Sequence, residues 1–322
     1  MNNRKESIFF SVIIPVYNKE KHIRRCINSV LNQNYTSYEI VIVNDSSTDK
    51  SLDEINQFSN SNIIVLSRKE PGPGGYAARN LGALKANGDW LTFLDADDEW
   101  LENHLSSISN IINNNSEAKV VSTSWYISKK NSRLRKCRFS VDNSLPQAGV
   151  MSFAQFLDAG AKFMLPMHTN TIGIKKDLFD LSGGFPAGLF MRGGDVSTWL
   201  KLVSLSGYLY YTKAATAVYH LENSTVAANT PSILQSAILW QTNILLKDCN
   251  SYFNRLKLKK FANTYTSYIY LKKLKNGNLN YNDTNYFFYE ANLLRYIFII
   301  ILSIFPSQLQ ILTFKLIKHT FS

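Results

Sequence analysis

The stretch FFSVIIPV, Phe9–Val16, is an almost continuous apolar run with a proline near its end. Such a run is typical of a strand buried on both faces of a parallel sheet. Helix and strand patterns then alternate as far as residue 94. The predicted strands are Phe9–Val16, Tyr38–Asn44, Ile63–Leu66 and Trp90–Leu94, and the predicted helices are Lys19–Leu31, Ser51–Phe58 and Gly75–Ala86. This order predicts an α/β fold with a mostly parallel sheet flanked by helices.

Ligands of such sheets bind outside the carboxyl ends of the strands. The four segments that follow the predicted strands are polar or glycine-rich. They are Val16–Lys19, Asn44–Asp49, Arg68–Gly75 and Asp95–Asp98. The sequence therefore predicts one binding site along this edge of the sheet.

Three carboxylates, those of Asp95, Asp97 and Asp98, directly follow the last of these strands. Carboxylates this close repel one another unless a cation is nearby. Mg²⁺ and Mn²⁺ take carboxylate oxygens and commonly share their other positions with substrate phosphates. The pattern thus predicts a metal–diphosphate site, and the alternative is a charged turn or the first turn of a helix.

Asp45 stands at the end of the second strand, where an acidic side chain can hydrogen-bond a base or a ribose hydroxyl. The alternative is a capping turn for the next helix. Both interpretations hold together if Asp49 caps the helix while Asp45 binds.

The segment Pro71–Asn80 contains Gly72-x-Gly74-x-x-Ala77, which superficially matches a dinucleotide fingerprint. That fingerprint belongs to the first strand–helix turn, and here the first turn, Val16–Lys19, has no glycine. The spacing therefore excludes an NAD site. A glycine-rich turn leading into a helix with Arg79 still suits a nucleotide phosphate or base.

The composition bounds the class of protein. With 322 residues, of which 45% are hydrophobic and 13% aromatic, the chain can bury a sizeable core, which excludes a largely disordered protein. The three cysteines form no CxxC pair, so we expect neither a disulfide framework nor a zinc site. We expect the protein to reside in the reducing cytoplasm. The apolar run near the N-terminus is short and lacks a following cleavage site, so we interpret it as a strand and not as a signal peptide.

The positive charge is concentrated near the C-terminus. Of a net charge of +11, residues 230–322 carry +8, from eleven Lys or Arg and three Asp or Glu. The same stretch holds the apolar run Leu293–Phe305. This combination suits an anionic membrane surface better than nucleic acid, which is not an expected partner. A solvated basic helical surface is the alternative.

Leu293–Phe305 is too short for a membrane span, which needs about 20 apolar residues. With Ile311–Ile317 it predicts two short helices lying in the membrane interface. A buried core helix or a helix of a homodimer is the alternative.

Taken together, four motifs resemble the inverting family 2 glycosyltransferases of the GT-A fold. They are Val12–Asn18 (VIIPVYN), Glu39–Asp49, Ala78–Asn80 and Leu94–Asp98 (LDADD). The resemblance is specific over residues 8–100, weaker through Thr171–Leu202, and fades by about residue 230. It implies a nucleoside-diphosphate sugar as donor and Mn²⁺ or Mg²⁺ as cofactor.

The resemblance also implies roles for single residues. The implied nucleotide-sugar-binding residues are Pro15, Tyr17, Asn18, Asp45, Gly75, Arg79, Asp95 and Ala96. Pro15 and Tyr17 would flank a uracil-type base, and Asp45 would hydrogen-bond its edge. Arg79 would line the nucleotide pocket and Asp95 would contact the ribose.

For the metal, Asp97 would hold the ion that bridges the two phosphates and stabilises the departing diphosphate. His220, at the end of a later predicted strand, is a second candidate ligand, and a hydrogen-bonded structural histidine is the alternative. His168 is a weaker candidate for a role on the acceptor side.

The base that accepts the proton of the acceptor hydroxyl would be Asp195, which opens a helix after a glycine-rich segment. In the family this Asp usually follows a Glu, and here Gly194 stands in that place. One base attacking opposite the leaving group implies inversion at the anomeric carbon. Helix capping is the alternative role of Asp195.

We predict two domains. Residues 1–230 form the GT-A domain, with a nucleotide-sugar half (1–115) and an acceptor half (116–230), and residues 231–322 form a basic helical extension that associates with membrane or oligomerises. In the acceptor half, the predicted strands are Val120–Ile127, Asn170–Lys175, Tyr208–Thr212 and Ala217–His220, and the predicted helices are Met151–Ala159 and Val196–Leu205.

The sequence as a whole predicts a metal-dependent inverting glycosyltransferase. It would move one hexosyl or N-acetylhexosaminyl unit from a UDP-sugar to a glycan or lipid-linked acceptor in surface-polysaccharide (LPS or capsule) synthesis, at the cytoplasmic face of the membrane. Processive synthases carry a Gln-x-x-Arg-Trp motif, which is absent here. The alternative is a non-catalytic sugar-nucleotide-binding or scaffold protein of a polysaccharide assembly complex.

Overall fold

The computed structural model describes residues 7–129, 132–221 and 236–320. These residues form one mixed sheet flanked by helices. Its described strands are β1 (Phe10–Val16), β2 (Tyr38–Asn44), β3 (Ile63–Ser67), β4 (Trp90–Phe93), β5 (Glu99–Trp100), β6 (Val120–Ser128), β7 (Arg135–Lys136), β8 (Ala148–Ser152), β9 (Ile172–Lys175) and β10 (Tyr208–His220). The strand order is β3-β2-β1-β4-β9-β6-β10-β5, with β7 paired to β6 and β8 to β10.

The helices begin and end at defined residues. Those described are α1 (Ile23–Leu31), α2 (Ser51–Asn56), α3 (Tyr76–Lys85), α4 (His104–Asn114), α5 (Arg138–Val141), α6 (Phe153–Gly160), α7 (Lys176–Ser182), α8 (Gly194–Ser206), α9 (Ala237–Asp248), α10 (Tyr252–Lys275), α11 (Leu293–Ser303) and α12 (Ser307–Thr320). A short 3-10 turn at Thr169–Thr171 precedes β9.

The first half of the sheet confirms the predicted alternation. Strands β3, β2, β1 and β4 are all parallel, and Phe10 of β1 lies opposite Tyr38 and Trp90. Side chains of β1 alternate between two cores, since Ile13 packs in one and Val12 and Ile14 in the other. The α/β fold is therefore confirmed, and in this half of the sheet all neighbouring strands are parallel.

The second half of the sheet mixes strand directions. Strand β9 runs antiparallel to both β4 and β6, and β10 is parallel to β6 but antiparallel to β5 and β8. The direction of β9 has a local cause: the chain enters it beside Asp95, because the Asn170 side chain accepts a hydrogen bond from the Asp95 backbone at 2.9 Å. A strand that starts at the carboxyl end of β4 must run against it.

Three predicted elements of this half, one helix and two strands, were wrong in their bounds. The helix predicted over Met151–Ala159 begins only at Phe153, because Ser152 and Gln155 form a reciprocal capping box and the preceding residues pair as β8. The strands predicted at Tyr208–Thr212 and Ala217–His220 are one strand, β10, whose register shifts around Ala215.

The C-terminal helices confirm the predicted helical extension. Helices α9 and α10 pack on α8 and α6, where Gly160 leaves room for the Phe261 ring. Helices α11 and α12 contribute to a separate apolar cluster that includes Ile269, Leu274 and Leu302. The predicted domain boundary at residues 230–231 lies outside the described residues. None of the described helices has the length and apolar character needed to cross a bilayer.

Helix α4 is held to the sheet by a buried histidine. The His104 ring stacks on Trp100 with 4.0 Å between centroids, and its Nδ1 lies 2.7 Å from the Thr216 hydroxyl. Its Nε2 is buried and has no hydrogen-bond partner among the described residues. Burial lowers the pKa of His104 from 6.5 to about 3, because a charged imidazolium would lose its hydration here.

This depressed pKa predicts an acid-sensitive contribution to stability. Above pH 6.5 the neutral His104 does not reduce the free energy of unfolding. As the pH falls from 6.5 toward 3, stability is lost, because the imidazole binds a proton in the unfolded chain but not in the folded one. Between about pH 6 and 4, the free energy of unfolding should fall more steeply with decreasing pH in the wild type than in His104→Gln. The difference in slope should be up to about 1.4 kcal/mol per pH unit. Urea denaturation of both proteins across this range measures the difference, and parallel pH profiles would contradict the assignment.

Candidate active site

The loops after β1, β2 and β3 meet at the carboxyl edge of the sheet. Asn18 links the first two, since its backbone N–H donates to Ser47 at 3.1 Å and its side-chain carbonyl accepts from the Thr48 backbone at 2.8 Å. The Ser46 hydroxyl donates to the Arg68 carbonyl at 2.7 Å and so links the second loop to the third. Asn18 and Ser46 both have positive φ, at 52° and 61°. Non-glycine residues hold this conformation where the surroundings fix it, often at functional sites.

Asp45 is positioned by the loop after β3. Its side chain is 2% exposed, one carboxylate oxygen is paired with the Arg68 guanidinium, and the other accepts from the Gly72 backbone at 3.1 Å. Tyr17 is 48% exposed at the same edge of the sheet. The predicted base-binding residues thus combine an exposed aromatic ring with a fixed carboxylate.

Arg79 joins several of the predicted nucleotide-binding residues. Its guanidinium is buried, forms an ion pair with Asp95 and donates to the Gly74 carbonyl at 2.8 Å. Gly75 has a φ of 67°, and a Cβ placed there would meet the Arg79 guanidinium at 3.3 Å and Pro15 at 3.7 Å. The structure therefore brings Pro15, Gly75, Arg79 and Asp95 together, as predicted.

The Leu94–Asp98 turn presents its three carboxylates differently. Asp97 is half-buried and accepts from the Lys19 ammonium at 2.6 Å. Ala96 and Asp98 are both buried, and Asp98 accepts hydrogen bonds from the Asn170 side-chain amide and, at 2.7 Å, from the His220 backbone. Burial, reinforced by the nearby Asp95 carboxylate, raises the pKa of Asp98 to about 8.

His220 lies at the same corner. Its backbone bonds to Asp98, and its ring Nε2 lies 3.0 Å from a Glu99 carboxylate oxygen. The side chain is thus hydrogen-bonded, as expected of a structural histidine. It also lies beside the acidic turn, as expected of a metal ligand.

The donor set decides what kind of cation fits. Among the described residues, no group of three or more His, Cys, Asp or Glu side chains has metal-binding geometry. Asp95 and Asp97 instead offer carboxylates that are balanced by Arg79 and Lys19. This arrangement fits a hard cation that is held by one or two carboxylates together with substrate phosphates, and it does not fit a cage built from protein ligands alone.

Asp195 lies in the first turn of α8, where its carboxylate adds to the effect of burial in raising the pKa of Tyr76. The Tyr76 hydroxyl accepts a hydrogen bond from the Gly194 backbone at 2.9 Å, and its ring stacks on Phe185 at 5.9 Å. Asn80 in turn holds Phe185 by two backbone hydrogen bonds of 2.8 and 2.9 Å. Helix α3 therefore positions the start of α8.

This contact explains the glycine at position 194. A Cβ there would lie 2.6 Å from the Tyr76 ring and 3.0 Å from Pro186, although the backbone φ is not positive. The Tyr76 ring thus occupies the space into which an acidic side chain at 194 would extend.

His168 lies near both halves of the site. Burial lowers the pKa of its ring, while the carboxylates of Asp95 and Asp195 act in the opposite direction. The ring packs against Trp125 and Tyr219, with centroids 5.1 and 4.8 Å away. This neutral histidine lies within electrostatic reach of both candidate functional carboxylates.

The sequence interpretation missed several residues of the site. They are Lys19, Arg68, Tyr76 and Asn170. Lys19 and Arg68 carried a usable signal, since both stand in loops at the carboxyl ends of strands. The contacts of Tyr76 and Asn170 join segments more than 70 residues apart, and no local pattern indicates them.

Comparison with known proteins agrees with this architecture, a GT-A sheet with acidic side chains at its carboxyl edge. The family model described as "Glycosyl transferase family 2" matches residues 11–185. The chain therefore belongs to glycosyl transferase family 2.

The matches to curated relatives each cover about a third of this chain. Glycosyltransferase AglE of Haloferax volcanii is 41% identical over 109 residues, which are 31% of this chain and 36% of AglE. The UDP-Glc:alpha-D-GlcNAc-diphosphoundecaprenol beta-1,3-glucosyltransferase WfgD of Escherichia coli is 39% identical over 106 residues, 33% of this chain and 42% of WfgD. Each match spans less than half of the relative's own length.

Solved structures are similar to this protein over most of the chain. A crystal structure of Staphylococcus aureus TarS residues 1–349 with UDP-GlcNAc superposes with a TM-score of 0.70 at 17% identity, covering 95% of this chain and 89% of that one. A structure of GalNAc-T7 with UDP, GalNAc and Mn²⁺ superposes with a TM-score of 0.58 at 18% identity, covering 80% and 51%. These superpositions establish the shared fold.

The contact between Tyr76 and position 194 predicts strong coupling in a double-mutant cycle. Gly194→Ala should cost about 1–3 kcal/mol of unfolding free energy in the wild type, because the new Cβ overlaps the ring. In a Tyr76→Leu background, which lacks the ring atoms nearest to Gly194, the same substitution should cost at least about 1 kcal/mol less. Urea denaturation of the four proteins measures the coupling, and additive effects would show that the ring does not exclude a side chain here.

Proposed function

We propose that this protein is a metal-dependent inverting glycosyltransferase. It transfers one hexosyl or N-acetylhexosaminyl unit from a UDP-sugar to a hydroxyl of a glycan or lipid-linked oligosaccharide. The observation that carries the proposal is that helix α3 contacts both parts of the site: its Arg79 is paired with Asp95, and its Tyr76 hydroxyl accepts a hydrogen bond from the Gly194 backbone, next to Asp195. A candidate donor-binding group and the candidate base are thus positioned by one helix.

The nucleotide assignment is supported by the edge of the sheet. Tyr17 and Pro15 offer surfaces for a base, and the fixed carboxylate of Asp45 can accept its N–H. Asn18, Gly75, Ala96 and Asp95 complete the proposed nucleotide-sugar pocket. The relative WfgD is named for UDP-Glc and the TarS structures contain UDP-GlcNAc or UDP, which supports UDP as the nucleotide.

The metal assignment is supported by the acidic turn. Asp97, with His220 as a second candidate ligand, would hold Mn²⁺ or Mg²⁺ beside the substrate diphosphate. The ion would stabilise negative charge on the leaving nucleoside diphosphate. Lys19 and Arg79 place two further positive charges at the same edge, where they can neutralise phosphate oxygens.

The proposed reaction is a single displacement. Asp195 accepts the proton of the acceptor hydroxyl as its oxygen bonds to the anomeric carbon, and the bond from that carbon to the diphosphate breaks on the opposite face. The configuration is inverted, by the logic that applies to inverting glycoside hydrolysis. Tyr76, which holds the backbone at Gly194, orients Asp195, and His168 lies on the acceptor side.

The proposed setting is surface-polysaccharide synthesis (LPS or capsule) at the cytoplasmic face of the membrane. Its support is the +8 charge of residues 230–322 beside the exposed apolar side chains of α11. The name of WfgD, which specifies a diphosphoundecaprenol-linked acceptor, points the same way. A homodimer through these helices is the alternative use of the same surface, and nucleic acid is not a proposed partner.

A second candidate function is a sugar-nucleotide-binding or scaffold protein without turnover. Its support is Gly194, since the chain lacks the acidic side chain usual there. Both candidates bind a sugar nucleotide, and only the enzyme needs Asp195.

Nucleotide binding is tested by thermal unfolding with UDP, GDP, dTDP or CMP, with and without Mn²⁺. We expect UDP with Mn²⁺ to raise the melting temperature by several degrees, since a ligand at 100 times its Kd stabilises the fold by about 2.7 kcal/mol. Asp97→Asn should lose the increment due to Mn²⁺, and Asp177→Asn, an exposed aspartate on α7, should keep it. A wild type that shifts with none of the nucleotides would contradict the proposed site.

Turnover is tested by Asp195→Asn. With the UDP-sugar and acceptor that support transfer by the wild type, we expect kcat to fall by about 10²–10⁴-fold, since the base is lost. Stabilisation by UDP should be unchanged, and Asp180→Asn on α7 serves as the exposed control. If Asp195→Asn kept the wild-type kcat, the base would be another residue; if UDP bound but the wild type transferred no sugar, the scaffold function would be favoured.

A further inference from the structure

The C-terminal helices line a half-open cavity of about 890 Å³. It lies between α10, α11 and α12, and its floor is the buried apolar cluster that includes Leu274 and Leu302. Its rim is exposed: Leu294 of α11 is 82% accessible, and Tyr268 and Phe298 are also exposed. A volume of this size is typical of ligand-binding pockets.

The lining determines which chemistry the cavity suits. Nearly all of its side chains are apolar or aromatic, and the polar ones are Ser267, Asn292 and Arg295. A peptide or a sugar would bury polar groups here with few partners, which is costly. An alkyl or isoprenoid chain has no such groups and gains about 0.8 kcal/mol for each methylene removed from water.

The polar end of the cavity suits an anionic head group. Arg295 is exposed in the first turn of α11, and its guanidinium lies 3.4 Å from the Ser267 hydroxyl. Asn292 caps the same helix by accepting from the Arg295 backbone at 3.0 Å. Residues 230–322, which include Arg295, carry a net charge of +8. A guanidinium beside an apolar cavity in this segment is complementary to a phosphate attached to a lipid tail.

The cavity is connected to the candidate active site through aromatic side chains. Phe163 lines the cavity and packs on Tyr265 of α10, with 5.7 Å between ring centroids. The Asp195 carboxylate adds to the effect of burial in raising the pKa of Tyr265. Tyr265 also packs against the main apolar core, which contains Trp199 of α8, so Phe163 and Tyr265 join the cavity to the core beside the helix that carries Asp195.

We propose that this cavity binds the alkyl or isoprenoid tail of the phosphate-linked lipid that carries the acceptor glycan, with Arg295 contacting the phosphate. The proposal rests on the proposed transferase function, and it adds a binding site for the acceptor's lipid. It places the tail between α10, α11 and α12, and the glycan beyond Phe163 toward Asp195.

The test uses the full chain and farnesyl phosphate, kept below the concentration at which it self-associates, with inorganic phosphate as the head-group control. Isothermal titration calorimetry should show binding of farnesyl phosphate and none of inorganic phosphate at equal concentration. Leu271→Trp, which places a larger side chain in the cavity at a 43% exposed position, should weaken binding about tenfold or more. The matched control is Leu205→Trp, a 46% exposed leucine on α8 outside the cavity, which should bind as the wild type does.

A second variant tests the head group. Arg295→Gln should weaken binding of farnesyl phosphate about tenfold and leave binding of farnesol unchanged, since only the former has a phosphate for the guanidinium. Loss of both ligands to the same degree would overturn the assigned role of Arg295.

The outcomes separate this proposal from the transferase function. Binding of farnesyl phosphate that Leu271→Trp does not weaken, or no binding by the wild type, would overturn it even if UDP stabilised the fold. A change from dimer to monomer in Leu271→Trp, without lipid binding by the wild type, would assign the surface to a second copy of the chain and also overturn it. Cavity-dependent binding without any effect of UDP would support the lipid site and contradict the proposed enzyme.

Discussion

The buried guanidinium of Arg79 is the interaction on which the site depends. It pairs with Asp95, donates to the Gly74 carbonyl and lies over the Phe185 ring, 5.5 Å from its centroid. These contacts join the loop after β3, the loop after β4 and the segment before α8. A buried charge that loses its partner is costly, at about 3–5 kcal/mol, so the three segments are held in one arrangement. Asp95 and the segment that leads to Asp195 are therefore positioned by the same side chain.

The pairing of Tyr76 with Gly194 fixes the start of the helix that carries Asp195. The Tyr76 ring occupies the space that a side chain at position 194 would need, and its hydroxyl accepts a hydrogen bond from the Gly194 backbone. Burial and the nearby Asp195 carboxylate raise the pKa of Tyr76, so the group beside Asp195 is a neutral hydroxyl. We infer that this contact shapes the proposed acceptor pocket.

Sequence was sufficient for the parts of the molecule that obey local rules. The apolar runs around Val12, Ile40 and Leu91 indicated three central strands, and the preference of ligands for carboxyl strand ends grouped Asp45, Asp95 and Asp97 at one edge of the sheet. The antiparallel half was not predictable in this way, because the direction of β9 is set by the contact between Asn170 and Asp95 across the sheet. The pairing of Lys19 with Asp97 likewise depends on tertiary structure, since 78 residues separate the two in sequence.

The central claim is that the carboxyl edge of this sheet binds a nucleoside diphosphate, and a crystal structure of the chain with UDP and Mn²⁺ tests it most directly. The account predicts the uracil ring against Pro15 and Tyr17 with its edge hydrogen-bonded to Asp45, and the diphosphate and the metal beside Asp97. It also predicts that Lys19 or Arg79 contacts a phosphate oxygen. UDP bound away from this edge, or at the edge with the metal nowhere near Asp97, would contradict the account.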